Sequence, residues 1–228
     1  GLLPRKEIHK ARILYPSADS TLVGVTDEEQ RFFGSSGYVL FVGRLLRRKG
    51  LDDVLKALKV ARQYVPSARL AVVGSGSADI LEDLRKLSME LAVSGSLSFE
   101  GEIGYEERQK LAGLYRECSF ITLPAKLLPD SSVEGFGSVF LEAALFGKPS
   151  VGTRHFGIPE AIVEGRTGLL CDEGDVNCLA QAFTMLLRNV KTRTKLGKQA
   201  YTRTCNLLMD HHGARRLALL YLRSRGTH

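Results

Sequence analysis

The chain alternates short, continuously apolar runs with longer amphipathic segments, and this alternation constrains the fold more than any other feature. The first unit is representative: YVLFVGR at 38–44 is a nearly continuous apolar run, and LDDVLKALKVARQYV at 51–65 repeats apolar residues at the spacing of one helical face. An apolar run without polar alternation predicts a strand buried on both faces, as in a parallel sheet. Further strands are predicted at 68–74, 96–101, 119–124, 148–153 and 167–172, and further helices at 78–93, 105–118, 137–147, 158–165 and 175–189.

Strands that alternate with helices across short connections predict an α/β fold: a single doubly wound, Rossmann-like parallel sheet with helices on both faces. Residues 190–228 follow the sheet and are predicted as helix, break, helix. Residues 1–37 hold one strand candidate, ARILYPSAD, and are interpreted as a lead-in. We therefore divide the chain into a domain at 1–190 and a helical extension at 191–228. In such sheets, ligands bind at the carboxyl ends of the strands.

The charge of the chain limits its partners. The formal net charge is +7, with cations concentrated at 43–50 and in the last forty residues. Nucleic acid, phosphorylated small molecules and an anionic membrane surface all suit such a charge. Aromatic residues make up only 7% of the chain and Trp is absent, which argues against base stacking and nucleic acid. For the C-terminal cations we favour a simpler interpretation, the solvated face of a helix.

Targeting signals and cysteines give further expectations. No apolar run reaches the roughly 18 residues of a membrane span, and the N-terminus does not resemble a signal peptide. Residue 1 is Gly rather than Met, which fits a fragment of a longer chain. The cysteines at 118, 171, 178 and 205 lack CxxC and zinc-site spacing. We expect Cys118 to be packed in the core, the cysteines to be reduced, and the protein to be cytoplasmic.

A basic loop follows the first predicted strand. In FVGRLLRRKG the strand ends at Gly43, and Arg44 to Lys49 lead into a helix at Gly50. Arginine pairs with phosphate through two parallel donors and lysine through a point charge. An ordinary basic surface loop explains the motif equally well, but four cations in six residues repel one another, which favours a bound anion.

A glycine-rich turn follows the second predicted strand. VVGSGSADI at 72–80 resembles the start of a dinucleotide fingerprint, but Asp79 replaces the third glycine. We favour a tight strand-to-helix turn, and keep an NAD-dependent oxidoreductase as the weakest alternative. Another loop holds His155, which is either a titrating group near a ligand or, more commonly for a loop histidine, a structural residue.

The stretch EGFGSVFLEAALFG at 134–147 is the most informative. Gly135 and Gly137 allow close approach of backbone to a ligand, and the free amides of the helix that begins near Gly137 favour an anion such as a diphosphate. Glu142 lies roughly 7 Å further along the helix, within reach of a ribose diol, and Glu134 can accept from sugar hydroxyls. Alternatively, Glu134 offsets the helix dipole and Glu142 is a surface residue. The apolar VFL and AALF on either side of Glu142 argue against the second of these.

Seven segments in order carry a resemblance to a known family. They are YPSAD, FVGRLLRRKG, VVGSG, FEG, EGFGSVFLEAALFGKPSV, GIPEAI and GRTGLL. Together they resemble the C-terminal, nucleotide-sugar-binding domain of a retaining glycosyltransferase of the GT-B fold, family 4 type, over roughly residues 12 to 190. Glu134 and Glu142 match the paired-glutamate motif of that family, two glutamates separated by seven residues.

The resemblance implies roles for the matched residues. Arg44 and Lys49 hold the donor diphosphate, Glu134 is the catalytic residue near the donor sugar, and Glu142 binds the ribose. The turn that contacts sugar and phosphate comprises Gly135, Phe136, Gly137 and Ser138, and the base is bordered by Glu100 and Gly101. The implied reaction moves a sugar from a nucleotide-diphosphate donor to an acceptor hydroxyl with retention of configuration, without a cofactor or an essential metal. The implied partner is an N-terminal acceptor-binding domain that this chain lacks.

Two residues depart from the family pattern. Family members usually have two glycines before IPE, and here the first is Phe156; Arg154 stands where an acidic or small residue is common. As an alternative to a glycosyltransferase half, we keep a non-catalytic nucleotide-binding or partner-docking module of a two-chain enzyme. The expected localisation is cytoplasmic, with peripheral contact of the basic C-terminal helices at the inner face of the membrane as a variant.

Overall fold

A parallel sheet of six strands forms the centre of the computed structural model, which describes residues 37–128 and 137–209. The order across the sheet is β3-β2-β1-β4-β5-β6, and every neighbouring pair runs parallel. The strands are β1 (Tyr38–Val42), β2 (Arg69–Val73), β3 (Leu97–Gly101), β4 (Phe120–Leu123), β5 (Ser150–Thr153) and β6 (Gly168–Cys171). The order reverses between β1 and β4, so the predicted doubly wound, Rossmann-like sheet is confirmed.

Helices connect the strands and follow the last one. They are α1 (Leu51–Arg62), α2 (Ala78–Glu90), α3 (Arg108–Glu117), α4 (Ser138–Leu145), α5 (Ile158–Ala161), α6 (Val176–Arg188) and α7 (Val190–Met209). Short 3₁₀ turns occur at Arg47–Lys49, Ser94–Ser96 and Tyr105–Glu107. Within the described ranges, no helix combines the length and the apolar character needed to cross a bilayer.

The apolar patterns explain why these segments fold as they do. Every residue of β1 and of β4 is buried, as expected of strands covered on both faces. Strand β3 lies at the edge of the sheet, and all of its residues are partly or fully exposed. Helix α1 buries one stripe, which includes Leu51, Val54 and Leu58, and packs against α2 and α6. Helix α4 packs against α5 and α7.

Three predicted segments need adjustment. The helix predicted at 158–165 ends at Ala161, because the chain then forms a turn around Gly165, whose φ is +66°. Residues 190–209 form one continuous helix, and the predicted break and second helix lie outside the described residues. The strand candidate in the lead-in also lies outside them. The division into a domain at 1–190 and an extension therefore stays a prediction.

The cysteines divide into two kinds. Cys118 is fully buried, as predicted, and burial raises the pKa of its thiol to about 12. The prediction that all the cysteines are reduced is wrong, because Cys171 and Cys178 form a disulfide. Cys171 ends β6 and Cys178 lies in the first turn of α6, so the strand–turn–helix connection brings their Cα atoms to 5.7 Å. That separation lies within the range that a disulfide requires.

Candidate functional site

The loops at the carboxyl edge of the sheet are fixed to one another. Hydrogen bonds join the segments beyond or at the ends of every neighbouring pair of strands: Gly74 N to Gly101 O, Gly43 N to Val73 O, Leu45 N to Ser75 O, Lys126 N to Arg48 O, Thr153 Oγ1 to Ala125 O and Arg154 N to Cys171 O. These bonds satisfy backbone groups at the strand ends, where the regular hydrogen bonds of the sheet stop. The edge where ligands bind in such folds is therefore a continuous, ordered surface across all six strands.

The basic loop lies on this surface directly after β1. Leu45 is buried and its amide donates to Ser75 O, so the loop is fixed on either side of the exposed Arg44. Lys49 is half-buried at the end of the following 3₁₀ turn. Arg47 forms an exposed ion pair of 2.6 Å with Asp83 of α2. At least one of the four cations, Arg47, thus has a carboxylate partner within the chain, which the sequence pattern did not reveal.

The glycines after β2 serve close packing. A Cβ atom at Gly74 would lie 2.0 Å from the carbonyl oxygen of Gly43, and one at Gly76 would lie 2.7 Å from that of Leu45. Both glycines therefore let the β1 and β2 loops touch through their backbones. Ser77 then caps α2 by accepting from Ile80 N. This geometry agrees with the tight turn favoured from the sequence.

Lys126, which the sequence analysis missed, joins the loop after β4 to the start of α1. Its Nζ lies 2.8 Å from Asp52 Oδ2 and 3.0 Å from Asp53 Oδ2. Burial alone would raise the pKa of the Asp52 carboxyl, but the hydrogen bond and the charge of Lys126, together with Lys56, hold it below its ordinary value. For Lys126, burial opposes protonation and the two carboxylates outweigh it, so its pKa is raised. The sequence did hold a signal for this contact: a basic residue directly follows LPA, at the carboxyl end of the strand predicted at 119–124.

Helix α4 begins at the same edge with an open N-terminus. Its first residue is Ser138, its N-cap Gly137 has φ +72°, and the cap makes no side-chain hydrogen bond. A Cβ atom at Gly137 would lie 2.7 Å from the buried ring of Phe140, so glycine is required. The first turn carries no acidic residue. The amides of this turn and the positive end of the helix dipole are arranged as in anion-binding helices.

Glu142 is neither a cap nor a surface residue. It is the fifth residue of α4, half-buried, and its Oε2 accepts a hydrogen bond of 2.8 Å from the hydroxyl of Tyr115 in α3. Tyr115 is fully buried and stacks on Phe146. Burial, followed by the charge of Glu142, raises the pKa of the Tyr115 hydroxyl well above its ordinary range. The phenol therefore stays a proton donor and orients one oxygen of the carboxylate.

The predicted base-bordering residues end strand β3. Glu100 is partly buried and lies 3.5 Å from Lys110 of α3. Gly101 has φ +75° and accepts from the amide of Gly74. The next residue, Glu102, accepts a 2.6 Å hydrogen bond from the hydroxyl of Ser75. The end of β3 is thus bonded to the loop after β2 through both backbone and side chains.

His155 and its neighbours connect the loops after β4, β5 and β6. The Nδ1 of His155 pairs with Glu173, whose other oxygen accepts from Leu127 N at 2.8 Å. This supports the structural role for His155.

The two residues that depart from the family pattern lie beside it. Phe156, where the family usually has glycine, keeps a φ of +44°, so this loop holds a left-handed residue despite the substitution. Arg154 lies 3.3 Å from carboxylate oxygens of both Glu164 and Asp172.

The predicted site residues therefore fall into three groups. Arg44, Lys49, Glu100 and Gly101 belong to the connected loops at the carboxyl edge, and Gly137 and Ser138 begin α4 at that edge. Glu142 lies one turn deeper, against α3. Glu134, Gly135 and Phe136 lie outside the described residues. The roles assigned to all of them remain predictions.

Comparison with known proteins identifies the family. The model of the family "Glycosyl transferases group 1" matches residues 25–203. A GDP-mannose-dependent alpha-(1-6)-phosphatidylinositol monomannoside mannosyltransferase of Mycolicibacterium smegmatis is 32% identical over 170 residues, covering 74% of this chain and 43% of that protein. The chain thus spans less than half the length of this curated relative.

Solved structures agree with the fold. Sucrose-phosphate synthase from Thermosynechococcus elongatus superposes with a TM-score of 0.72 at 28% identity, covering 84% of this chain and 46% of the other. The C-terminal domain of a group 1 family glycosyltransferase from Francisella tularensis superposes with a TM-score of 0.68 at 19% identity, covering 84% of this chain and 97% of that domain. With the family match spanning most of its length, this chain belongs to the group 1 glycosyltransferases.

Proposed function

We propose that the chain is the donor-binding half of a retaining glycosyltransferase, which moves a sugar from a nucleotide-diphosphate sugar to an acceptor hydroxyl. The observation that carries the proposal is a pair of groups at one edge of the sheet: the exposed Arg44 after β1 and the open N-terminus of α4. Strands β1 and β4 are neighbours, and α4 is the next helix after β4. A diphosphate matches both groups, because each stabilises negative charge.

The proposed chemistry uses these groups on the leaving group. The acceptor hydroxyl forms a new bond to the anomeric carbon on the face from which the leaving group departs, so the configuration is retained. The bond from that carbon to the diphosphate oxygen breaks with its electron pair, and this oxygen takes up the proton of the acceptor hydroxyl. Arg44, Lys49 and the first amides of α4 stabilise the charge that develops on the departing nucleoside diphosphate. Because these groups supply the positive charge, the proposal includes no essential metal and no cofactor.

The two glutamates receive different parts of the donor. Glu142 accepts from the ribose diol, and the hydroxyl of Tyr115 holds its carboxylate in one orientation. Glu134, assigned from the paired-glutamate motif, contacts the donor sugar. The relative from M. smegmatis is named as GDP-mannose-dependent, which makes GDP-mannose the first donor to test. The acceptor site is proposed to lie on an N-terminal domain outside this chain.

Calorimetry with GDP-mannose, UDP-glucose, ADP-glucose and the bare diphosphates tests the proposal. We expect saturable binding of one sugar nucleotide, unchanged by EDTA. Glu142→Ala should weaken the binding of the sugar nucleotide and of its bare nucleoside diphosphate alike, by about tenfold, because the ribose loses its hydrogen bonds to a carboxylate. Glu134→Ala should weaken mainly the sugar-bearing donor.

Glu82→Ala, an exposed glutamate of α2, is the matched control and should change neither affinity. Absence of saturable binding to every donor would show that the proposed function is wrong. Equal losses for both ligands in both glutamate variants would contradict the division of roles between Glu134 and Glu142.

A further inference from the structure

A second basic site lies away from the candidate donor site. A cavity of about 530 Å³ separates the turn before β6 from helix α7. Three cations line it, Arg166 from the turn and Lys198 and Arg203 from the helix, and none of the described residues that line it is acidic. The turn enters β6 at its amino end, whereas the candidate donor groups lie at the carboxyl ends of the strands. The volume is in the range of small-ligand sites.

The turn holds Arg166 in a defined position. Thr167 Oγ1 accepts from Val163 N at 2.8 Å, and the amides of Arg166 and Thr167 both donate to Val163 O. Gly165 has φ +66° and donates to Gly168 O. The backbone is therefore fixed while the side chain of Arg166 is exposed. Because the backbone is already ordered, only the side chain of Arg166 loses conformational freedom on binding.

Arg203 is fixed without being neutralised. Its Nη2 donates to Glu160 O at 2.7 Å and its Nη1 to Ala161 O at 3.4 Å. Both acceptors are neutral carbonyls at the end of α5, so these bonds orient the guanidinium and leave its positive charge in place. The guanidinium of Arg203 therefore reaches from α7 to the segment that leads into the turn of Arg166.

A buried amide supplies an independent observation. Oε1 of Gln199, which lines the cavity, is buried and has no hydrogen-bond partner among the described residues. A buried polar atom without a partner costs free energy, and native structures rarely leave one. This oxygen has almost no exposed surface, so the side chain of Gln199 would have to turn for its amide to face a ligand in the cavity.

We propose that this cavity binds a phosphate-bearing anion, held by Arg166 and Arg203 with Gln199 at its wall. Two guanidinium groups, with no carboxylate among the described lining residues, favour an anion rich in oxygen atoms. A phosphate accepts several hydrogen bonds at once. The proposal does not depend on the proposed donor site. The phosphate belongs either to a soluble ligand or to a lipid headgroup, and these sources differ in whether binding requires a membrane surface.

The test uses inorganic tripolyphosphate in calorimetry, and flotation with phosphatidylcholine vesicles that contain or lack phosphatidylglycerol. We expect Arg166→Glu to weaken binding about tenfold, as for one lost charge-assisted contact. Gln199→Glu, which is isosteric and adds a carboxylate at the wall, should weaken it similarly. Lys59→Glu makes the same charge change as Arg166→Glu at an exposed position of α1 and should change the affinity by less than about twofold.

The outcomes separate the alternatives. Tripolyphosphate binding that falls in both cavity variants and persists in Arg44→Ala supports a soluble ligand. Vesicle binding that requires phosphatidylglycerol and falls in the same variants supports a headgroup. Binding that is lost only in Arg44→Ala assigns the probe to the candidate donor site and overturns the proposal. Unchanged binding in Arg166→Glu also overturns it, and so does the absence of binding by either probe. Arg166 is exposed, so an unchanged thermal unfolding curve is expected for its variant and confirms that the fold is intact.

Discussion

The two basic regions of this molecule handle their charge in opposite ways. At the carboxyl edge, carboxylates of the chain form ion pairs with two of the cations: Asp83 pairs with Arg47, and Asp52 and Asp53 pair with Lys126. The cavity beside α7 has three lining cations, and no acid occurs among the described residues that line it. The carboxyl edge is also held by contacts between backbones, whereas the turn before β6 is bonded mainly within itself. The difference teaches that a net charge of +7 describes neither region: ion pairs within the chain order one, whereas neutral carbonyl groups hold Arg203 in the other.

The largest expected effect comes from the backbone contact at the carboxyl edge. Gly74 has φ +138°, and a Cβ atom there would lie 2.0 Å from the carbonyl oxygen of Gly43. We expect Gly74→Ala to lower the free energy of unfolding by about 3 kcal/mol or more, since both the clash and the backbone conformation oppose it. Equilibrium unfolding in urea measures the change.

Gly165, in the turn beside the cavity, is the matched control for this substitution. It also has a positive φ, +66°, but a Cβ atom there would meet nothing within 4 Å. Gly165→Ala should therefore cost about 1 kcal/mol, the penalty of the left-handed conformation alone. Equal losses in the two variants would mean that the contact between the β1 and β2 loops does not constrain the carboxyl edge.

A smaller effect is expected from the ion pairs. Lys126→Met leaves the side chain of Asp53, which is 6% exposed, with Lys56 at 3.2 Å as its remaining ion-pair partner among the described residues. We expect a loss of about 2 kcal/mol in the free energy of unfolding at pH 7, below the loss for a fully buried pair. Thermal and urea unfolding both measure it.

Arg47→Met provides the comparison on the same edge, because it breaks the pair with Asp83, whose side chains are 71% and 57% exposed. Exposed pairs contribute little, so this variant should lie within about 0.5 kcal/mol of the wild type. If Arg47→Met is as destabilising as Lys126→Met, exposure does not govern the strength of these pairs.

The sequence predicted the sheet and the basic loop because both depend on local pattern. Apolar runs such as 38–44 and the helical face of α1 are properties of neighbouring residues, and the open N-terminus of α4 followed from the Gly at 137. The ion-pair partners of Arg47 and Lys126 could not be predicted from local pattern. Arg47 and Asp83 are 36 residues apart, and Lys126 and Asp52 are 74 apart, so only the strand order brings them together. The bond from Tyr115 to Glu142, across 27 residues, likewise depends on how α3 and α4 pack. The disulfide is local, because its cysteines are seven residues apart, and the sequence analysis missed it since only CxxC and zinc-site spacings were considered.

The smallest and most specific effect is a dependence on pH. Because Lys126 lowers the pKa of Asp52 in the folded protein, the pair stabilises the fold above the ordinary Asp pKa of 3.8, and this contribution is lost as the pH falls through the lowered value. The raised pKa of Lys126 means that its contribution is fully present below 10.5 and is lost only as the pH rises above that value. The difference in unfolding free energy between wild type and Lys126→Met should therefore be constant from about pH 5 to pH 9 and shrink below about pH 4. Urea unfolding of both proteins at several pH values measures it, and a difference that persists undiminished at about pH 3 would show that packing of the lysine side chain, rather than its charge, joins α1 to the loop after β4.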